Sequence, residues 1–211
     1  MNEKAPVLTR WKPWQIILLF GLLQCGVTAL GVYFFDYFAG SATVGFGRMG
    51  PVFGTGMFFV YMLGFLNALL VLLPMHRLGF FGAAALIYLP YAVIGLPVEY
   101  YYEVLLTPAL KGFWAVAGWC AVGPLTGLSA DLANRFLPRS LPPGLRAVLI
   151  GAVLGAAGFG LTLLGLAVFY KAPLATDPGS FAGLAYFGAP WLVVHSALGG
   201  LAAWALARRA R

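Results

Sequence analysis

Six stretches of this chain, each between 19 and 30 residues long, carry no charged side chain. They lie between Lys12 and Asp36, Arg48 and Arg77, Arg77 and Glu99, Lys111 and Asp131, Arg146 and Lys171, and Asp177 and Arg208. A helix that crosses the hydrocarbon of a bilayer needs roughly 20 apolar residues. Inside that hydrocarbon each segment must satisfy its own backbone hydrogen bonds, which a helix does. A transmembrane β-barrel would instead show short alternating strands separated by turns, and no such pattern is present. Composition agrees: 62% of residues are hydrophobic and 9% charged, against about a quarter charged in soluble domains. The 28 glycines suit membrane helices, where glycine is commoner than in soluble ones.

The expected fold is therefore an all-α integral membrane protein, a bundle of six transmembrane helices. Their expected extents are Trp14–Phe35, Val52–Leu73, Phe80–Leu96, Gly112–Ala133, Leu145–Tyr170 and Phe181–Ala207. Pro90 and Pro97 interrupt the third, so a kink or an early end is expected there. The whole chain, 1–211, reads as one transmembrane domain, because no polar segment is long enough to bury a core of its own. The first window is too long for a signal peptide and has no convincing small-residue cleavage site after it.

Lysine and arginine set the expected orientation. The two ends and the loops after the second and fourth windows hold ten of them, and the other three loops hold Arg48, Lys111 and Lys171. The positive-inside rule then places both termini in the cytoplasm of a cell-membrane protein. The net charge of +7 follows from this topology, and nucleic acid is not expected as a partner. The loop Asn134–Gly144, with Pro138, Pro142 and Pro143 and arginines nearby, is rigid and basic and suits contact with anionic lipid.

Motifs for catalysis or metal binding are missing from the sequence. There is no Gly-x4-Gly-Lys-Ser/Thr phosphate loop, no His-Glu-x-x-His and no Cys-x-x-Cys. Cys25 and Cys120 sit singly inside apolar windows, which suggests neither a disulfide framework nor a metal site. His76 and His195 fall at different depths, so joint ligation of a metal or haem is not expected. Ser196 lacks the partners of a catalytic triad. No catalytic residue, cofactor or metal is assigned, and an enzyme is not expected.

Four features remain as candidates for function. His195 lies roughly 18 Å into the last window at 1.5 Å per residue, where an ionisable group often marks a site; a neutral histidine bonded to a helix carbonyl is the structural alternative. Aromatic residues gather toward the expected outer side: Tyr100, Tyr101 and Tyr102 between Glu99 and Glu103, then Trp114, Trp119, Tyr186 and Trp191. They suit either stacking of a flat ligand or the interfacial belt found in any membrane protein. The glycine-rich loop around Arg48 suits a lid whose arginine meets a carboxylate or phosphate, or a connection whose arginine reaches headgroups. Small residues recur at helical spacing: Gly21, Cys25 and Ala29; Gly151 and Gly155; Gly199, Ala203 and Ala207. These permit close helix contact, within the bundle or with a partner. Asn67, an amide in an apolar helix, is expected to bond across to a neighbouring helix.

Six helices in about 200 residues, both ends inside and long outer loops resemble the substrate-binding S components of energy-coupling factor transporters. Gly118-Trp-Cys-Ala-Val-Gly-Pro-Leu-Thr-Gly-Leu-Ser-Ala-Asp131 looks like the glycine-rich helix of that family, and Ser196-Ala-Leu-Gly-Gly-Leu-Ala-Ala-Trp204 like its final helix. Ile94-Gly-Leu-Pro-Val98 is similar to a stretch of the biotin-specific members. The resemblance implies capture of a vitamin or similar small molecule in the outer half, with a membrane scaffold subunit and two cytoplasmic ATPases driving transport. It further implies a scaffold contact through Gly21, Cys25 and Ala29, where cysteine stands in place of the family's alanine or glycine. The substrate-binding candidates on this reading are Arg48, Glu99, Trp114, Trp119, Trp191 and His195. The alternative is a non-catalytic structural subunit of a larger membrane complex, a reading that suits the many small residues and few buried polar groups. A membrane enzyme or a channel stands behind both, for want of convergent ionisable groups or a charged ring.

Overall fold

The computed structural model describes residues 11–41, 64–106, 110–170, 186 and 189–209, with residues 29–41 and 102 as backbone alone. Among these residues the regular structure is all helical, with no strand. Six helices follow one another: α1 (Pro13–Ser41), α2 (Asn67–Leu78), α3 (Ala83–Tyr100), α4 (Phe113–Phe136), α5 (Pro143–Gly165) and α6 (Ala189–Arg209). α3 and α5 each run on through wider π-helical turns, Tyr101–Leu106 and Leu166–Tyr170.

Four of these segments are long and apolar enough to cross a membrane: Ala83–Leu106, Phe113–Phe136, Pro143–Tyr170 and Ala189–Arg209, with mean hydropathies from 1.2 to 2.2. The shortest has 21 residues, or about 32 Å of helix against a hydrocarbon core of about 30 Å. They mark a membrane protein. Pro13–Thr28 and Gly64–Leu78 are shorter apolar helices. The first part of the expected second helix, the start of the expected sixth, the Arg48 loop and the loop from Lys171 to Ser180 lie outside the described residues.

Local chemistry explains the helix ends. Pro13 opens α1, where its missing N–H costs nothing, and the Gln15 side chain reaches back to accept from the Lys12 N–H at 2.8 Å, half of a capping box. α2 continues past its expected end at Leu73, through the buried Pro74, to Leu78. It stops at Gly79, whose φ of 70° lets its N–H close on the Met75 carbonyl. α3 begins after Gly82 with no side-chain cap of its own. Its cap comes from α4: the Asp131 carboxylate accepts from the N–H groups of Ala84 at 3.3 Å and Ala85 at 3.0 Å. One turn earlier on α4, Gly127 lies so close to α3 that a Cβ there would sit 2.5 Å from the Ala84 carbonyl oxygen.

α3 also runs through both of its prolines and beyond Leu96, so the early end that the sequence allowed does not occur. Pro90 is accommodated by α1: its ring occupies the space above Gly21, where a Cβ would come within 2.5 Å of Pro90 Cγ. After Pro97 the helix does not end: the Tyr101 N–H bonds to the Pro97 and Val98 carbonyls, and the wider π-helical turns Tyr101–Leu106 follow.

The helices pack in the cyclic order α1, α3, α4, α5, α6, α2, and α2 closes the ring against α1. Glycine makes the tightest seams. Gly151 on α5 faces the Ser196 carbonyl of α6, and Gly200 on α6 faces the Ala147 carbonyl of α5 at 2.5 Å from a would-be Cβ. Gly199, next in sequence, faces the Phe65 carbonyl and Ala68 of the α2 segment. The main core comprises Phe20, Val71, Leu72, Met75, Ile87, Tyr88, Ile150 and Leu154. The outside is apolar too: Leu18, Leu22, Val93, Ile94, Leu105, Leu164, Val194 and Leu198 are all exposed, as a lipid-facing surface requires.

Candidate functional site

At the centre of the ring is a cavity of about 130 Å³ to which all six helices contribute. One wall is polar. Gln24 of α1 is eleven residues from Pro13, and Asn67 of α2 is eleven from Leu78, so each lies roughly 16 Å from the same end of the bundle. They meet there: Gln24 Nε2 donates to Asn67 Oδ1 at 2.7 Å. Tyr88 of α3 donates its hydroxyl to the same oxygen, also at 2.7 Å. The interhelical bond expected of Asn67 is thus made twice. Gln24 Nε2 also lies 3.4 Å from Thr28 Oγ1. Gln24 is 1% exposed, yet among the described residues its Oε1 has no hydrogen-bond partner.

The opposite walls are mixed. Trp119, Val122, Gly123 and Thr126 come from α4, Leu154, Gly155, Gly158 and Thr162 from α5, and Leu192 from α6. Tyr91 completes the α3 side. Thr126 spends its hydroxyl on the Val122 carbonyl at 2.8 Å, a bond back along its own helix. Trp119 is held in place on two sides. Its ring packs on Gly165, where a Cβ would sit 2.9 Å from Cε3, and it meets Tyr170 edge-on with centroids 5.0 Å apart. The Tyr170 hydroxyl donates to Glu99 Oε2 at 3.4 Å. A chain of contacts therefore runs from the cavity through Trp119 and Tyr170 to Glu99.

Among the sequence candidates, Trp119 lines the cavity and Glu99 is tied to it through Tyr170. Trp114, 83% exposed, packs edge-on against its neighbour Phe113 on the outer surface. Trp191 is also exposed. His195 lies one turn beyond it, with Nδ1 2.8 Å from the Trp191 carbonyl oxygen and the two rings 6.0 Å apart. Neither lines the cavity; their helix contributes Leu192. Arg48 lies outside the described residues. In the proposed partner stripe, Gly21 is buried against α3 and Cys25 is half-buried, while of Ala29 only the backbone is described. Among the described residues no group of three or more His, Cys, Asp or Glu side chains is placed to hold a metal ion.

The structure adds Gln24, Tyr88, Tyr91, Thr126 and Thr162 to the site. Gln24 had a signal in the sequence: it is an amide in the middle of an apolar window, and such a group is expensive in a membrane helix unless it faces the interior and finds a partner.

The two ends of the bundle differ in charge. Arg135 stacks over Phe81 at 5.5 Å and Arg208 over Trp204 at 5.6 Å. Arg146 donates to the Asn134 carbonyl. A second cavity, of about 340 Å³, lies at this basic end and is lined by His76, Pro143, Trp204, Ala207 and Arg208. Glu99, Glu103 and Tyr170 mark the other end. No protein-family model, curated protein or solved structure matches this chain.

Proposed function

We propose that this protein is the membrane-embedded substrate-capture subunit of an importer of the energy-coupling factor type, taking up a vitamin or similar small molecule. The observation that carries the reading is the central cavity: about 130 Å³, lined by all six helices, with an amide cluster on one wall and a fixed tryptophan on another. Ligand pockets have this character, mostly apolar with a few convergent polar groups. A bundle built only for packing would close such a space, because an unfilled cavity and an unbonded amide oxygen both destabilise it.

The remaining parts of the proposal rest on the sequence. Both termini face the cytoplasm of the cell membrane, by the distribution of lysine and arginine. The Glu99 end then faces outward, and Trp119 and Tyr170 stand between that end and the cavity. ATP hydrolysis belongs to cytoplasmic ATPase subunits, coupled through a membrane scaffold subunit, since the sequence holds no phosphate loop.

Native mass spectrometry of the gently purified protein tests the reading. A stoichiometric non-lipid small molecule released on activation supports it. Lipid alone, or co-purification with unrelated membrane subunits and no ATPase, transfers the assignment to a structural subunit.

A further inference from the structure

We propose that the cavity at the basic end of the bundle holds the phosphate of an anionic lipid headgroup, with Arg208 as its charged contact. This cavity shares no lining residue with the central one, so the assignment does not rest on the capture reading.

Three helix ends make the site. His76 stands in the last turn of α2, Pro143 opens α5, and Trp204, Ala207 and Arg208 belong to the last two turns of α6. The space between them is about 340 Å³, against about 130 Å³ for the central cavity. Ala207 is buried, while Pro143 and Arg208 are exposed, so the cavity runs from an apolar floor to an exposed rim. Trp204 is fixed as a wall between α6 and α5: its Cζ3 lies 3.6 Å from where a Cβ on Gly144 would stand.

Charge selects the ligand. Among the described residues no Asp or Glu lines the cavity. Asp131, an acid of α4, is committed to the N–H groups at the start of α3. The Arg208 guanidinium lies over the Trp204 ring at 5.6 Å. A guanidinium stacked on a ring keeps the N–H donors in its own plane for a further partner, and a phosphate accepts two of them at once. Basic side chains in the last turns of α2 and α6 also complement the helix dipoles, but that effect needs no cavity.

Depth selects the source of the phosphate. α6 is a membrane-length helix, and Trp204 and Arg208 lie in its final two turns, the level at which tryptophan meets headgroups. Leu145 of α5 and Leu201 of α6 are exposed, and Leu201 reaches the same Gly144 that Trp204 packs on. They offer acyl chains an apolar surface beside the charged rim, for which a free phosphate ester has no use. Basic pockets between membrane helices bind anionic headgroups in this way.

The full chain, purified in detergent and stripped of lipid, is titrated with phosphatidylglycerol, phosphatidylcholine or glycerol phosphate, and bound ligand is counted by native mass spectrometry. Phosphatidylglycerol is expected to bind about tenfold more tightly than phosphatidylcholine, whose choline cancels the charge, or glycerol phosphate, which has no chains; tenfold is about the worth of one hydrogen bond to a charged group. Arg208→Gln is expected to abolish that preference. Arg139→Gln removes a charge from the same end but outside the cavity and should leave the preference unchanged. Equal affinity for the two lipids, no loss in Arg208→Gln, or equal losses in the two variants overturns the proposal. Glycerol phosphate binding as tightly as phosphatidylglycerol overturns the lipid source. The comparison among ligands needs no variant, and both substituted arginines are exposed. None of these outcomes bears on the central cavity, so the capture reading stands or falls separately.

Discussion

One carbonyl oxygen, Asn67 Oδ1, accepts from two other helices at once, through Gln24 and Tyr88. Asn67→Leu removes the acceptor and strands both donors in an apolar interior, so it is expected to destabilise the protein by about 1–3 kcal/mol. Thermal unfolding in detergent reads this, and Tyr88→Phe, which removes one donor and strands nothing, should cost clearly less. An unchanged melting temperature in Asn67→Leu would mean that the network contributes no stability. Trp119 acts differently, as a wall of the cavity. Trp119→Ala is expected to weaken small-molecule binding by about 1–3 kcal/mol if the ring stacks on the bound molecule, while Trp191→Ala, on the exposed face of α6, leaves affinity unchanged. Equal losses from both would relocate the site. These residues also show what could be read from the sequence. Asn67 stood out because a lone amide in an apolar helix has few ways to be satisfied. Trp119 and Trp191 were equivalent by composition and depth, and only the rotation of their helices, set by Gly165 against Trp119 and by Leu192 turning inward on α6, separates them.

Helices in this protein are joined by backbone-to-backbone approach at glycine, and the glycines are not equal. Gly127 and Gly151 lie against carbonyl groups of α3 and α6, whereas Gly26 and Gly160 have open space where a Cβ would stand. Gly151→Leu is expected to prevent recovery of a folded monomer from detergent, as judged by size-exclusion chromatography, and Gly160→Leu to be tolerated. The opposite pattern would overturn the packing of α5 on α6. Asp131 provides a second test at this scale. It supplies the cap that Gly82 cannot, and it lies across a helix boundary from the groups it caps. Asp131→Ala should cost about 0.5–2 kcal/mol, and Asp131→Asn, which keeps one acceptor, less. Helix positions were largely legible, and four of the charge-free windows fall in segments long and apolar enough to cross a membrane. Helix ends were less so. The early end allowed at Pro97 does not occur, because α3 runs on into the π-helical turns Tyr101–Leu106, and the Pro90 ring packs into space that Gly21 of a different helix leaves open. The space for Pro90 comes from another helix, so no pattern within α3 announces it.

On the scale of the whole molecule, the ring order of the helices brings the arginines of four of them to one end and Glu99, Glu103 and Tyr170 to the other. The sequence supplied the alternation of charge along the chain. The packing turns it into a polarity of the bundle, with the cavity between the two ends and Trp119 on its acidic side. That polarity makes orientation testable with two exposed positions. Lys111 precedes α4 at the acidic end, and Arg139 lies in the turn between α4 and α5 at the basic end. In a chain with Cys25 and Cys120 replaced by alanine, Lys111→Cys is expected to react with a membrane-impermeant maleimide on intact cells, and Arg139→Cys only after permeabilisation. In the proposed orientation, anionic lipids of the cytoplasmic leaflet attract the basic end by about 1 kcal/mol for each arginine near the surface, so the two positions should differ sharply and not by degree. Labelling in the reverse order would place the acidic end in the cytoplasm. The route from Glu99 through Tyr170 and Trp119 would then open toward the cell interior, and capture from outside would no longer fit the direction in which the cavity faces.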